Sequence, residues 1–219
     1  MIVGILGGIG SGKSTVTSMM VEMGAEAIDA DALAHEVLEA PWARKALVEW
    51  LGPEALEGSG QVNRAYVAKR VFAKAADLQK LEKLVHPEVI RRVEGRVKEH
   101  VRQKKEGDLL VLDVPLLLVS PLKMLCQRLI FVEAREEIRK QRVEAKGWRP
   151  GELEARERFQ TNLEEKKQLA DHVINNSGSL EETRRQVEAL LARLKAEGDD
   201  PNNETPTSKR KMENNAKRR

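Results

Sequence analysis

The sequence predicts an α/β fold: a five-stranded parallel sheet flanked by helices, broken into by a long helical insertion. Three observations carry this. Five short aliphatic runs recur along the chain, mostly separated by helical periodicity, the pattern of strands buried on both faces. A glycine-rich loop follows the first run and opens a helix. Residues 32–105 read as helical almost throughout and interrupt the alternation.

The first strand is expected over Ile2–Leu6, an unbroken aliphatic run. After the loop, Val16, Met19, Met20 and Met23 recur at helical spacing, and Gly24 supplies a stop. Ala25–Asp29 is the second strand and closes a βαβ unit. The helical stretch that follows is expected to break at Pro41, at Gly52-Pro53, across Gly58–Gly60 and at His86-Pro87. Strand character returns at Leu109–Val114, Arg128–Val132 and Asp171–Asn175. Helices are expected at Arg135–Lys146 and from about Gly151 to Ala170, and Ser179 with Glu182 three residues on reads as the capping box of a last helix.

The expected organisation is a nucleotide-binding core over 1–31 and 106–196, with a lid at about 135–150, a helical substrate domain over 32–105, and a disordered basic tail over 197–219. The tail has too few apolar residues to offset the entropy of ordering it. Charged residues make up 33% of the 219 and aromatics 3%, so the core must be aliphatic. A net charge of +3 demands no nucleic-acid partner and suits anionic small molecules equally well. Cys126 is the one cysteine, which excludes an intrachain disulfide and points to a reducing, cytoplasmic setting. No run reaches membrane-spanning length, so no membrane association is expected. Protein partners are left open.

The loop carries the chemistry. Gly7, Gly12, Lys13 and Ser14 fit G-x-x-x-x-G-K-[ST]. With so little side-chain bulk, the backbone N–H groups of Gly10, Ser11, Gly12, Lys13, Ser14 and Thr15 can turn around a phosphate, and the helix adds the positive end of its dipole. Lys13 is a mobile cation for the β- and γ-phosphates, Ser14 a hydroxyl for Mg²⁺, and Thr15 a contact for the α-phosphate. The expected ligand is a nucleoside triphosphate, ATP.

A guanine-reading Asn-Lys-x-Asp segment is missing, which argues against a GTPase-type switch and for a kinase. A kinase needs a carboxylate beside the acceptor hydroxyl. Asp29 and Asp31 stand where the second strand runs into a helix, at the ligand-collecting end of an open α/β sheet. Either could cap that helix; Asp31 is assigned the catalytic role and Asp29 a partly structural one. Arg135, Arg139, Arg142 and Lys146 recur at three- and four-residue steps, so they are expected to share a helix face. That face is either an ordinary solvated one or a lid that brings Arg142 to the transferring phosphoryl group.

These residues together resemble the dephospho-CoA kinase family. The resemblance runs from about Ile2 to Val187 through GILGGIGSGKSTV, DADALAHEV, LEKLVHPEV, LDVPLLL and RFQTNLEEKKQLADHVINNSGS, with Gln160, Lys166, Ala170-Asp171 and Asn176 in place. It implies a P-loop, nucleoside-monophosphate-kinase-like architecture that phosphorylates the ribose 3′-hydroxyl of dephospho-CoA with ATP and Mg²⁺. It also implies that Asp113 serves the metal or the acceptor, and that Arg64 and His86 face the acceptor's phosphates or adenine. Asn176 and Gly178 would form a turn beside the adenine of ATP. Each residue has a plainer reading: His86-Pro87 as a helix start, Arg64 in a surface pair, Asn176 and Gly178 as an ordinary strand-to-helix turn. The chain departs from the family pattern at Leu118 and Val119, usually an aromatic and a glutamate. It departs again at Arg139, usually glutamine, at Lys146, commonly arginine, and at Asn63, usually aspartate. The remaining alternatives are a kinase of the same fold with another acceptor, and a nucleotide-dependent binding protein.

Overall fold

The computed structural model describes residues 1–71, 73–103, 108–157 and 162–198. The chain divides into two compact units, one formed by Met1–Ile28 with the chain from Glu99 onward, the other by Asp29–Lys98.

The first unit holds the sheet. Its strands are β1 (Ile2–Gly7), β2 (Glu26–Asp29), β3 (Leu110–Asp113), β4 (Arg128–Glu133) and β5 (His172–Asn175), in the spatial order β2-β3-β1-β4-β5. β1 lies between β3 and β4 and runs parallel to both, so the order reverses at its end. The loop leaving β1 therefore sits at the switch point, where a crevice opens at the carboxyl edge of such sheets. β1 is buried along its whole length and β4 along nearly all of it, which is why both read as uninterrupted aliphatic runs.

Helix α1 (Lys13–Glu22) packs on one sheet face with the last helix, α9 (Leu180–Gly198). Val16 and Met20 from α1 and Val187 and Leu194 from α9 close over Val3 and Ile130. Each such side chain gains about 1.5–3 kcal/mol by burial. On β1 itself, a Cβ at Gly4 would lie 2.9 Å from Cys126 Sγ and from a Leu129 methyl. That bare position lets the segment after β3, two short 3₁₀ turns at Leu117–Val119 and Pro121–Leu125, approach the strand.

The second unit is helical: α2 (Ala30–Leu38), α3 (Pro41–Leu51), α4 (Arg64–Val71) and most of α5 (Ala75–Gln103), around a core that includes Leu47, Ala55 and Val71. Breaks fall where expected at Pro41, at Gly52-Pro53 and around Gly58–Gly60, where an isolated antiparallel bridge joins Leu56 to Val62. The break expected at His86-Pro87 is absent, because α5 passes straight through Pro87. Val85, Val89, Val93 and Val97 form a buried stripe at four-residue steps across the proline, while His86 and Pro87 face solvent. Burial of that stripe outweighs the roughly 3 kcal/mol that an interior proline costs.

In the first unit, α6 (Glu136–Glu144) is shorter than the Arg135–Lys146 helix expected, so Arg135 precedes it and Lys146 lies beyond its end. In place of one helix over 151–170 there are two, α7 (Glu152–Glu157) and α8 (Leu163–Leu169), with Gln160 of the family signature outside the described residues. The tail expected over 197–219 also lies outside them, apart from the end of α9. No helix among the described residues is long and apolar enough to cross a membrane.

Candidate active site

The glycine loop is built by backbone demands that side chains cannot meet. Gly10 and Gly12 have φ of +74° and +89°, left-handed values that strain any residue with a Cβ. A Cβ on Gly10 would also lie 2.8 Å from the Arg139 carbonyl, and one on Gly12 would collide with the Asn176 amide. Gly12 stands at the N-cap of α1 and offers no side-chain cap, and the first turn of α1 carries no acid. Three other helices start with a side-chain cap. Asp29 caps α2 by accepting from the N–H groups of Asp31 and Ala32, and Asn162 caps α8. Ser179 and Glu182 form the expected capping box on α9, at 2.8 and 3.2 Å. α1, like α3, has neither a side-chain cap nor an acid in its first turn, and a glycine-built start of this kind leaves backbone N–H groups suited to an anion.

The loop is held from behind by α6 and by the turn after β5. The Arg142 guanidinium donates to the carbonyls of Gly10 (3.3 Å), Ser11 (3.2 Å) and Asn176 (2.9 Å). Arg139, buried, donates to the Ile9 carbonyl at 3.3 Å and pairs with Glu157 of α7. The Asn176 side chain donates to the Ser11 carbonyl at 2.8 Å and accepts from Thr183 Oγ1 at 3.0 Å. With the carbonyls of Ile9 and Ser11 drawn outward, the N–H groups of Gly10 and Gly12 face the opposite way across their planar peptides. The Ser11 N–H instead closes a turn to Gly8. Lys13 Nζ lies 3.4 and 3.3 Å from the carbonyls of Gly7 and Gly8, so its cation stays over the loop.

Two expectations change in detail here. The basic residues do not share one face: Arg139 and Arg142 meet the loop, Lys146 is exposed, and Arg135 uses its backbone N–H on Ser177. The Asn176 side chain turns inward to the loop, and its backbone N–H donates to the Glu133 carbonyl. Beside it, Arg135, Asn175, Ser177, Gly178 and Gln186 line a cleft of about 550 Å³.

Asp113 ends β3 in register with Ile5 of β1, half-buried at the carboxyl edge of the sheet. Ser14 is exposed on the first turn of α1. Among the described residues there is no cluster of three or more His, Cys, Asp or Glu side chains of the kind that holds a metal by protein alone. A hydroxyl and a single carboxylate are hard oxygen donors of the kind Mg²⁺ takes when phosphates and water complete its shell, so the donor set fits that ion.

A narrow pit of about 10 Å³ opens beside the loop, lined mostly by apolar residues of Ile5-Leu6 and Val114–Val119, with Gly7, Lys13 and a second lysine, Lys166 of α8. Lys166 is 6% exposed. Burial first, then the charge of Lys13, hold its amine below the usual lysine range. The sequence reading gave Lys166 no role. Its signal was present: it falls three residues after Leu163, on the half-buried side of a short helix, where lysine is out of place.

The remaining candidates belong to the second unit. Asp31 is exposed in the first turn of α2, and Asp29 is the cap, as its partly structural assignment required. Arg64 opens α4 and lines a cleft of about 550 Å³ with Arg44, Glu39 and Glu57. Asn63 precedes it and accepts the Tyr66 N–H at 3.0 Å, a capping bond that the family's usual aspartate would make equally. His86 is exposed on α5.

A glycine loop at the switch point of a five-stranded parallel sheet, backed by arginines from a following helix, defines a P-loop protein of the small-molecule kinase class. The sequence pattern of the dephospho-CoA kinase family matches residues 1–182. Curated relatives of that name from Carboxydothermus hydrogenoformans and Geobacillus kaustophilus are each 38% identical to the chain; the alignments cover 89% and 87% of it and 94% and 95% of their own lengths. A solved structure of a Thermus thermophilus protein, 38% identical, superposes with a TM-score of 0.71 over 89% of this chain and 97% of that one. The Campylobacter jejuni dephospho-CoA kinase, at 20% identity and a TM-score of 0.69 over the same shares, has the same fold. The chain belongs to the dephospho-CoA kinase family.

Proposed function

We propose that this chain transfers the γ-phosphoryl group of ATP to the ribose 3′-hydroxyl of dephospho-CoA, giving coenzyme A and ADP, the last step of coenzyme A synthesis. The observation that carries the reading is the uncapped, glycine-built start of α1, with Lys13 over it and Arg142 behind it, in a chain matched by the family over residues 1–182.

In this reading the N–H groups of Gly10 and of residues 12–15, with Lys13, hold the ATP phosphates, Ser11 shapes the loop through its turn to Gly8, and the cleft beside Arg135 and Gly178 takes the adenine. Asn176 serves ATP through the loop it fastens. Asp31 orients the 3′-hydroxyl and accepts its proton while the 3′-oxygen bonds to the γ-phosphorus and the bond to the ADP oxygen breaks. Transfer is in line, with no phosphoenzyme. Arg142, expected at the transferring phosphoryl group, serves it in this reading through the loop, whose Gly10 and Ser11 carbonyls its guanidinium holds from behind. Ser14 and Asp113 offer the oxygens for Mg²⁺, which when bound neutralises phosphate charge. Arg64 and His86 bind the acceptor. A cytoplasmic setting is supported by Cys126, which is buried as a free thiol.

The test is ADP release with Mg·ATP in the presence and absence of dephospho-CoA, beside the variant Asp31→Asn. The expected result is ADP formation that depends on dephospho-CoA, a product of coenzyme A mass, and a loss of roughly a hundredfold or more in the variant. Turnover with a different hydroxyl acceptor and none with dephospho-CoA would overturn the substrate assignment.

A further inference from the structure

An ion pair between two helices is buried against the glycine loop. Arg139 of α6 is 5% exposed, and a single nitrogen, Nη1, donates both to the Ile9 carbonyl at 3.3 Å and to the Glu157 carboxylate of α7. The pair lies directly on the loop: a Cβ at Gly8 would come within 2.9 Å of that nitrogen and 3.2 Å of Glu157 Oε1. The glutamine usual in the family at position 139 would need no counter-charge, whereas a buried guanidinium does. Glu157 supplies the charge and thereby fixes where the guanidinium stands. The Ile9 carbonyl shares its planar peptide with the Gly10 N–H, so this series of contacts ends on a backbone donor of the loop. A second pair joins the same two helices nearer to solvent, between Lys140 and Glu154 at 2.8 Å.

We infer that Glu157 is a positioning residue for ATP, which acts through Arg139 to hold the Ile9–Gly10 peptide turned toward the phosphates. The inference rests on the reading of the glycine loop as an ATP site and adds to it a residue from α7. Positioning and charge predict opposite signs here. A carboxylate beside a phosphate site repels the ligand, so on charge alone its removal would tighten ATP. If it positions the loop, its removal weakens ATP.

The experiment uses the full chain and its variants Glu157→Gln, Glu157→Asp and Glu154→Gln. Titration calorimetry with Mg²⁺ and the β,γ-imido analogue of ATP gives the affinity, and its stoichiometry gives the folded fraction. Steady-state turnover is measured alongside. In Glu157→Gln, analogue affinity should fall about fivefold or more. The KM for ATP should rise by a similar factor, while kcat and the KM for dephospho-CoA change less than about twofold. Glu157→Asp keeps the charge on a shorter arm and should recover part of the affinity, remaining about two- to threefold weaker than wild type. Glu154→Gln removes the same charge from the same helix without touching the Arg139 pair, and its analogue affinity should stay within about twofold of wild type.

Unchanged or tighter binding in Glu157→Gln would overturn the inference, and so would an equal loss in Glu154→Gln. If Glu157→Gln does not fold, Glu157→Asp decides: affinity and KM for ATP that coincide with wild type overturn it. Wild-type protein that binds the analogue but does not turn over dephospho-CoA refutes the acceptor reading alone, and the binding ratios still decide Glu157. Wild-type protein that does not bind the analogue refutes both.

Discussion

Replacing Asn176 with alanine should weaken the fold and the nucleotide site together. Asn176 is 1% exposed, and its side chain makes two hydrogen bonds, to the Ser11 carbonyl at 2.8 Å and from Thr183 at 3.0 Å. Neither partner is orphaned in the variant. Arg142 still donates to the Ser11 carbonyl at 3.2 Å, and the Thr183 hydroxyl can turn to the Ser179 carbonyl at 3.1 Å. Two neutral bonds with fallback partners amount to about 1–2 kcal/mol, and the void left by the amide adds about 1 kcal/mol. The total of about 2–3 kcal/mol lowers the Tm of a chain this size by about 5–10 °C. A loop that has lost its anchor should also raise the KM for ATP by about tenfold and leave that for dephospho-CoA unchanged. Thermal unfolding followed by circular dichroism and the two KM values test this. A Tm within about 1 °C of wild type with an unchanged KM for ATP would refute the claim that Asn176 fastens the loop.

Gly12→Ala places a Cβ at φ +89° against the same amide, so it should cost about 1–2 kcal/mol in strain plus the displacement of Asn176. Combined with Asn176→Ala, its cost should be less than the sum of the two, as urea unfolding midpoints of the double-mutant cycle would show. Arg139→Gln, which restores the family's usual residue, strips Glu157 of its cation and should lower stability by about 2 kcal/mol in the same assay. Asn63→Asp should leave the midpoint within about 0.5 kcal/mol of wild type, since either side chain accepts the Tyr66 N–H. The Cys126 thiol, pushed up to about 12 by burial, should react with a disulfide reagent at pH 8 roughly a thousandfold more slowly than in the unfolded chain, as absorbance of the released thiol reports.

The five strands, the loop and the caps at Asp29 and Ser179 were legible in the sequence because each depends on residues a few positions apart, whereas the Asn162 cap that starts α8 was not. An aliphatic run sets a buried parallel strand, glycines permit the turn, and Ser179 with Glu182 finishes α9 wherever the helix lies. The expectation that the N–H groups of Gly10–Thr15 turn toward a phosphate has the same local origin, since glycine backbone geometry suggests it before any tertiary contact is known. Local rules failed where a residue's surroundings come from distant chain. Pro87 reads as a break, yet a valine stripe buried by tertiary packing carries α5 through it. Arg139 reads as one of four basic residues on a helix face, and only its apposition to Ile9 and Glu157 makes it a buried clamp. Lys166 and Lys167 are the same residue type in the same sequence context. Which of them meets Glu133 and which enters the pit beside Lys13 was decided by what the fold placed across from each, because the direction of a side chain from a helix is local but what it meets is not.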